Sequence, residues 1–171
     1  MPDNEALTER YARHLVLTEI GGAGQQKLAA ARVLVIGAGG LGASLLAYLA
    51  AAGVGHISII DDDVVSLSNL QRQVLFTEDD IGLPKAACAA RFLTKLNPDC
   101  TITPIEARLT ANNAQDLIEA HDIVADGCDN FATRFLVNDA CFFTRKPLVS
   151  AAVGRFDGQL ATFKAYENDE K

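Results

Sequence analysis

No apolar run in this 171-residue chain approaches the roughly 20 residues a helix needs to cross a bilayer. The opening stretch, Met1 to Arg13, is polar and mixed in charge and lacks the apolar centre of a secretory signal. Both absences point to the cytoplasm and away from a membrane. Basic residues are also scarce: 15 Lys and Arg stand against 22 Asp and Glu, a formal net charge of −7. A phosphate backbone calls for a broad basic face, so nucleic acid is disfavoured as a partner. Any cation that matters must act locally. Cys88, Cys100, Cys128 and Cys141 never form a C-x-x-C pair, so no zinc signature is present. They read as thiols in a reducing compartment, most of them buried as small hydrophobes.

What remains is ordinary globular material, 49% hydrophobic and 22% charged, and long enough to bury one proper core. Strand and helix patterns alternate along it. Arg32–Ile36, His56–Ile60, Thr101–Ile105, Asp122–Ala125 and Leu148–Ala151 read as short strands rich in β-branched residues. Between them, Leu41–Ala52, Lys85–Leu96, Asn113–Ala120 and Asn130–Phe143 read as helices. The second of those helices opens through Pro84 and closes at Asn97-Pro98, which are start and stop signals for Lys85–Leu96. The polar stretch from Asp62 to Leu83 predicts turns with a short helix or two, and Gln159–Ala165 predicts an antiparallel element. The expected fold is α/β: a doubly wound, Rossmann-like, mostly parallel sheet with helices on both faces. Residues 1–31 are expected to form an N-terminal helical arm within a single domain spanning 1–171.

In such folds a ligand sits beyond the carboxyl ends of the strands. That directs attention to 37–42, 61–63 and 126–129. Gly37-Ala38-Gly39-Gly40-Leu41-Gly42 is a G-x-G-x-x-G between a strand and a helix. Glycine lets the backbone turn sharply and approach a phosphate, and the following helix offers free N–H groups. Asp61 follows at about the interval at which a carboxylate meets ribose hydroxyls. By itself this motif favours a dinucleotide-binding dehydrogenase, with purely structural glycines as the plainer reading.

The downstream loop shifts the balance. Ser66-Leu67-Ser68-Asn69-Leu70-Gln71-Arg72-Gln73 precedes Gly82-Leu83-Pro84-Lys85. A triphosphate carries more charge than a pyrophosphate and needs cations. Arg72 offers a planar donor fork and Lys85 a point charge at a helix start. Asp129 offers the single carboxylate that Mg²⁺ accepts beside phosphates and waters. The plainer reading of Arg72 and Lys85 is a solvated surface pair.

Together these segments resemble the adenylation domain shared by the ThiF/MoeB/HesA group and the ubiquitin-activating enzymes, nearest in pattern to the MoeB branch. The matching pieces also include Arg10-Tyr11-Ala12-Arg13-His14, Gly24-Gln25-Gln26-Lys27-Leu28, Ala52-Gly53-Val54-Gly55, Asn97-Pro98, Cys128-Asp129-Asn130 and Pro147-Leu148-Val149-Ser150. They run in the family's order over nearly the whole chain. The resemblance implies ATP and Mg²⁺ as the reagents. Gly37, Gly39, Gly40 and Gly42 would lie against the nucleotide, and Asp61 would hold the ribose. Asn69, Arg72 and Lys85 would meet the triphosphate, and Asp129 would organise the metal. Arg13 resembles an arginine finger supplied by the other subunit of a homodimer. The catalytic set so implied is Arg13, Arg72, Lys85 and Asp129. The implied partner is a small ubiquitin-like sulfur-carrier protein of the MoaD/ThiS type, whose C-terminal Gly-Gly carboxylate is adenylated with release of pyrophosphate.

The family usually continues into paired C-x-x-C motifs that hold zinc, and some members carry a sulfur-accepting cysteine. None of these occurs here, so zinc is expected in longer relatives and its ligands are absent from this chain. The chain is accordingly expected to be the N-terminal part of a longer family-type protein, with a natural short homologue as the alternative. His14, His56 and His121 have no metal spacing between them and no site is assigned to them. Cys128 reads as a strand-end thiol, and Asp63 as a weak second candidate for metal. Two other functions stay open: an NAD-type oxidoreductase, and a nucleotide-binding module without catalysis.

Overall fold

Strand β1 (Arg32–Ile36) is apolar from Val33 onward, and its side chains alternate between two faces. In the computed structural model of the chain, which describes residues 4–167, both faces are covered. Val33 and Val35 pack with Leu46 of α4 (Gly40–Ala52), Ile57 and Ile59 of β2 (His56–Ile60) and Leu93 of α5 (Lys85–Leu96). Leu34 and Ile36 pack with Ile60, with Ile118 of α6 (Ala114–Glu119), and with Val137 and Cys141 of α7 (Phe131–Thr144). Two apolar clusters, one on each side of a sheet, are the doubly wound arrangement expected from the alternating pattern.

The sheet has six strands in the order β3-β2-β1-β4-β5-β6, with β3 at Thr101–Ile105, β4 at Ile123–Asp126, β5 at Leu148–Gly154 and β6 at Asp157–Phe163. The first five are parallel, and β6 returns antiparallel along β5. Chain direction across the sheet reverses between β1 and β4, so the switch point lies where the glycine loop leaves β1. Strand β5 runs three residues beyond the expected Ala151, because the hairpin supplies hydrogen-bond partners as far as Gly154 opposite Asp157. Every residue of β6 is exposed, which is why its alternation was a weak signal. The polar stretch after β2 contains two single-turn helices, Leu67–Asn69 and Glu78–Asp80. No helix among the described residues is long and apolar enough to cross a membrane.

The N-terminal arm is helical as expected, formed by α1 (Asn4–Arg10), α2 (Ala12–Leu15) and α3 (Gly21–Ala30); Met1 to Asp3 lie outside the described residues. Tyr11 fastens it. Its hydroxyl accepts a 2.8 Å bond from Asn97 Nδ2, and the same amide reaches the carbonyl of Ala50 at 2.8 Å. Gln25 Nε2 donates to Ala52 O at 3.0 Å, and Gln25 Oε1 accepts from His14 Nδ1 at 2.7 Å. The arm is therefore seated on the C-terminal ends of α4 and α5.

Gly53 makes that seat possible. It ends α4 at φ +83, and a Cβ there would lie 2.5 Å from the Tyr11 hydroxyl and 2.7 Å from Gln25 Nε2. Gly53→Ala is expected to cost about 2–4 kcal/mol, combining left-handed backbone strain with displacement of Tyr11. Urea unfolding checks this. A loss below about 0.5 kcal/mol, the range of an indifferent surface change, would mean the arm is not seated on this turn.

Candidate active site

The glycine loop is built by close approach rather than by side chains. A Cβ on Gly42 would lie 1.8 Å from the carbonyl oxygen of Gly37, so only glycine lets α4 start this near the end of β1. Gly37 itself has φ +90 and donates its N–H to Ile60 O at 2.9 Å. From the neighbouring strand, Gly127 closes against the same place: its Cβ would stand 3.3 Å from the Gly42 nitrogen. The first helical turn of α4 has no side-chain cap, which leaves its N–H groups facing the open end of the sheet.

Asp61, at the end of β2, braces this loop. Its Oδ2 accepts the Ala38 N–H at 2.7 Å and its Oδ1 the Asp63 N–H at 2.8 Å. Burial raises its carboxyl pKa above the ordinary range, against the pull of those two N–H groups and of Lys85. Carboxylate oxygens of Asp61, Asp62 and Asp63 come within 4.8 Å of one another, but Asp63 is committed elsewhere. Lys85, 5% exposed, places Nζ 2.9 Å from Asp63 Oδ2. The Lys85 N–H also donates to Asp63 O at 2.9 Å. Lys85 is thus a held, buried cation beside Asp61 and not a loose surface charge.

Arg72 is held differently. Its Cδ and Nε would lie 3.4 and 3.5 Å from a Cβ on Gly40, so the side chain lies across the start of α4. One guanidinium nitrogen, Nη1, donates to Ser68 O at 3.2 Å; the others have no partner among the described residues and remain exposed. Asn69 shapes the segment that delivers it. The Asn69 side chain accepts the Ser66 N–H at 3.2 Å, and its carbonyl takes the N–H groups of Arg72 and Gln73. Gln73 is buried with Oε1 unpaired among the described residues, and its Nε2 stands 3.9 Å from a Cβ on Gly39. The far end of the loop is pinned by Asp80, which accepts from Thr77 and pairs with Arg91. Burial would raise the Asp80 carboxyl pKa, but those partners overcome it and hold it below the usual range.

Asp129 follows β4, exposed and without a partner among the described residues. A free hard-oxygen donor beside the glycine loop's neighbour strand fits a one-carboxylate Mg²⁺ site. Arg13 is exposed on α2. The structure therefore brings Gly37, Gly39, Gly40, Gly42, Asp61, Asn69, Arg72 and Lys85 to one end of the sheet and does not bring Arg13 there. Burial, helped by the Asp126 carboxylate, pushes the Cys128 thiol pKa up to about 12, which favours its protonated form near neutral pH. His121 is a core residue, with Nδ1 on Leu117 O at 2.6 Å and Nε2 on Ser58 Oγ at 2.8 Å.

A family model for the ThiF family matches residues 11–171. The chain belongs to the ThiF family. Among curated ThiF-type relatives it is 50% identical to the SAMP-activating enzyme E1 of Haloferax volcanii, over 90% of this chain and 57% of that protein. It is 48% identical to the sulfur carrier protein adenylyltransferase of Thermus thermophilus, over 91% and 57%. The chain thus spans a little over half the length of these relatives. A solved tRNA N6-threonylcarbamoyladenosine dehydratase, TcdA of E. coli, in complex with ATP, superposes with a TM-score of 0.84 at 29% identity, over 90% of this chain and 64% of that one. E. coli MccB with AMPCPP and MccA superposes at 0.77 and 32% identity, over 89% and 47%.

Beyond the expected set, three more polar residues of this ThiF-family domain are drawn together: Asp126, Arg134 and Ser150. The sequence placed Asp126 in the 126–129 loop and Ser150 in the Pro147–Ser150 segment, with no role for either. Ile123-Val124-Ala125-Asp126 puts a carboxylate at the end of an otherwise apolar strand, and a buried charge needs partners.

Proposed function

We propose that the chain forms the ATP site of an adenylyltransferase that activates the C-terminal glycine carboxylate of a small ubiquitin-like sulfur carrier. The observation that carries this reading is Arg72 lying across Gly40, with the buried Lys85 fixed nearby beside Asp61. A pyrophosphate is largely satisfied by backbone N–H groups, whereas two cations at one glycine loop suit a triphosphate. The relatives named for sulfur-carrier and SAMP activation share about half their residues with this chain over the matched region. The tRNA dehydratase shares 29%, and a net charge of −7 gives a nucleic acid no broad basic face.

These positions suit the proposed reaction. The glycine loop and the first turn of α4 hold phosphate oxygens, Asp61 takes ribose hydroxyls, and Asn69, Arg72 and Lys85 balance the triphosphate charge. The carrier carboxylate attacks the α-phosphorus, an acyl-adenylate forms and pyrophosphate leaves. No covalent enzyme nucleophile is needed, so catalysis rests on positioning and on charge stabilisation. Asp129 would hold Mg²⁺, which supplies charge neutralisation on the phosphates. The domain works in the cytoplasm, as a homodimer whose second subunit contributes Arg13.

Calorimetric titration of the chain with ATP and with NADH, each with and without Mg²⁺, tests the site. Magnesium-assisted ATP binding with no NADH heat is expected. Selective NADH binding without a response to ATP would replace this reading with an oxidoreductase.

A further inference from the structure

Asp126 is 3% exposed, and its carboxylate is gripped on both oxygens. Oδ1 accepts the Cys128 N–H at 3.0 Å, and Oδ2 accepts the Ser150 hydroxyl at 2.9 Å, with Arg134 Nη1 3.5 Å from Oδ2. Arg134, reaching across from α7, donates Nη1 to Ser150 Oγ at 3.1 Å. Its Nη2 donates to Cys128 O at 2.5 Å and to Ala151 O at 2.6 Å. The Cys128 residue is therefore clamped at both of its main-chain polar groups: its N–H by Asp126, its carbonyl by Arg134. On the other side, Asn130 is fixed by capping α7, its Oδ1 accepting the Thr133 N–H at 2.8 Å. Asp129 lies between these two immobilised neighbours, with its own carboxylate exposed and unpaired among the described residues.

A buried ion pair at a strand end contributes little net stability, since desolvation offsets most of its attraction. Apolar side chains of similar volume would hold β4 against β5 as well. They would not clamp the main chain of Cys128 at both its N–H and its carbonyl. We propose that Asp126, with Ser150 and Arg134, is a positioning residue. It sets the place of the Asp129 carboxylate relative to the glycine loop, and so the affinity of the site for Mg²⁺ when ATP is bound. This rests on the reading of Asp129 as the metal carboxylate.

The experiment measures ATP binding to the full chain at a series of Mg²⁺ concentrations, and without Mg²⁺, for the parent and for Asp126→Asn, Ser150→Ala, Asp129→Asn and the Asp126→Asn/Asp129→Asn pair. Asp126→Asn is expected to raise the Mg²⁺ concentration for half-maximal enhancement about tenfold, the effect of loosening a residue that orients a metal ligand. Its magnesium-free ATP affinity is expected to stay at the parent value. Ser150→Ala, which leaves the Asp126–Arg134 pair in place, is expected to shift in the same direction by less, and it carries the test should Asp126→Asn fail to fold. The double variant is expected to match Asp129→Asn alone, because Asp126 acts through Asp129. An unchanged Mg²⁺ dependence in a folded Asp126→Asn or Ser150→Ala, or additive losses in the double variant, would overturn the proposal. Absence of any Mg²⁺ effect in the parent would instead overturn the assignment of Asp129, a separable failure.

Discussion

Arg72→Ala is expected to lower ATP-dependent adenylate formation about 10²–10³-fold, the usual loss when one preorganised group that stabilises developing charge is removed. The fold should barely notice. Arg72 is exposed, and its one protein bond runs to Ser68 O within its own loop. What disappears is a donor fork lying over the start of α4, where the chain crosses Gly40. Lys85 is poorly placed to substitute, because its Nζ is bound to Asp63 and its side chain is buried. Arg72→Lys separates charge from geometry: a lysine keeps the former and loses the planar fork, so an intermediate rate is expected. Steady-state rates with a carrier protein, beside melting curves for each variant, read both effects. An Arg72→Ala chain that forms adenylate at the parent rate would remove the residue from the site.

The contrast between Arg72 and Lys85 also marks what the amino-acid order could and could not reveal. Both were legible as cations near a glycine loop. That Lys85 is buried and paired was not, since its partner Asp63 is 22 residues away and the intervening stretch has no period to read. That stretch is held by caps and pins, Ser66 with Asn69, Thr77 with Asp80, and Asp80 with Arg91, which are local chemistry without a repeating pattern. By contrast β1, α4, β2 and α5 announce themselves, because an apolar run ending in glycine, or one entered by proline and left at Asn-Pro, has few alternatives. The Tyr11–Asn97 contact joins residues 86 apart, and Asp126–Ser150 joins residues 24 apart. Each needs the finished sheet before its two ends meet. The residues assigned to a ligand sit in short motifs, whereas the residues that steady them are recruited from wherever the fold passes.

The arm carries the second large expectation. Tyr11 is locked to the C-terminal end of α4, and the glycine loop is at the other end of that 13-residue helix, about 20 Å away at 1.5 Å per residue. Arg13, two residues past Tyr11, is thereby held on the arm at the far end of α4 from the glycine loop, exposed and followed by Val16 and Leu17 at 76% and 46% exposure. An exposed arginine beside exposed apolar side chains suits contact with a second copy. If Arg13 acts across a two-fold interface, Arg13→Ala and Arg72→Ala chains are each inactive as homodimers. A mixed dimer then regains one site, formed by Arg72 of the first chain and Arg13 of the second, while its other site lacks both. Random exchange at equal amounts makes half the dimers mixed, so about one quarter of parental activity is expected. Native mass spectrometry confirms the mixing. No recovery from confirmed mixed dimers, or full activity of Arg13→Ala alone, would exclude a finger donated in trans. Recovery at the expected level would require both a dimer and this placement of the arm, because a chain that used its own Arg13 could not be rescued by a partner lacking Arg72.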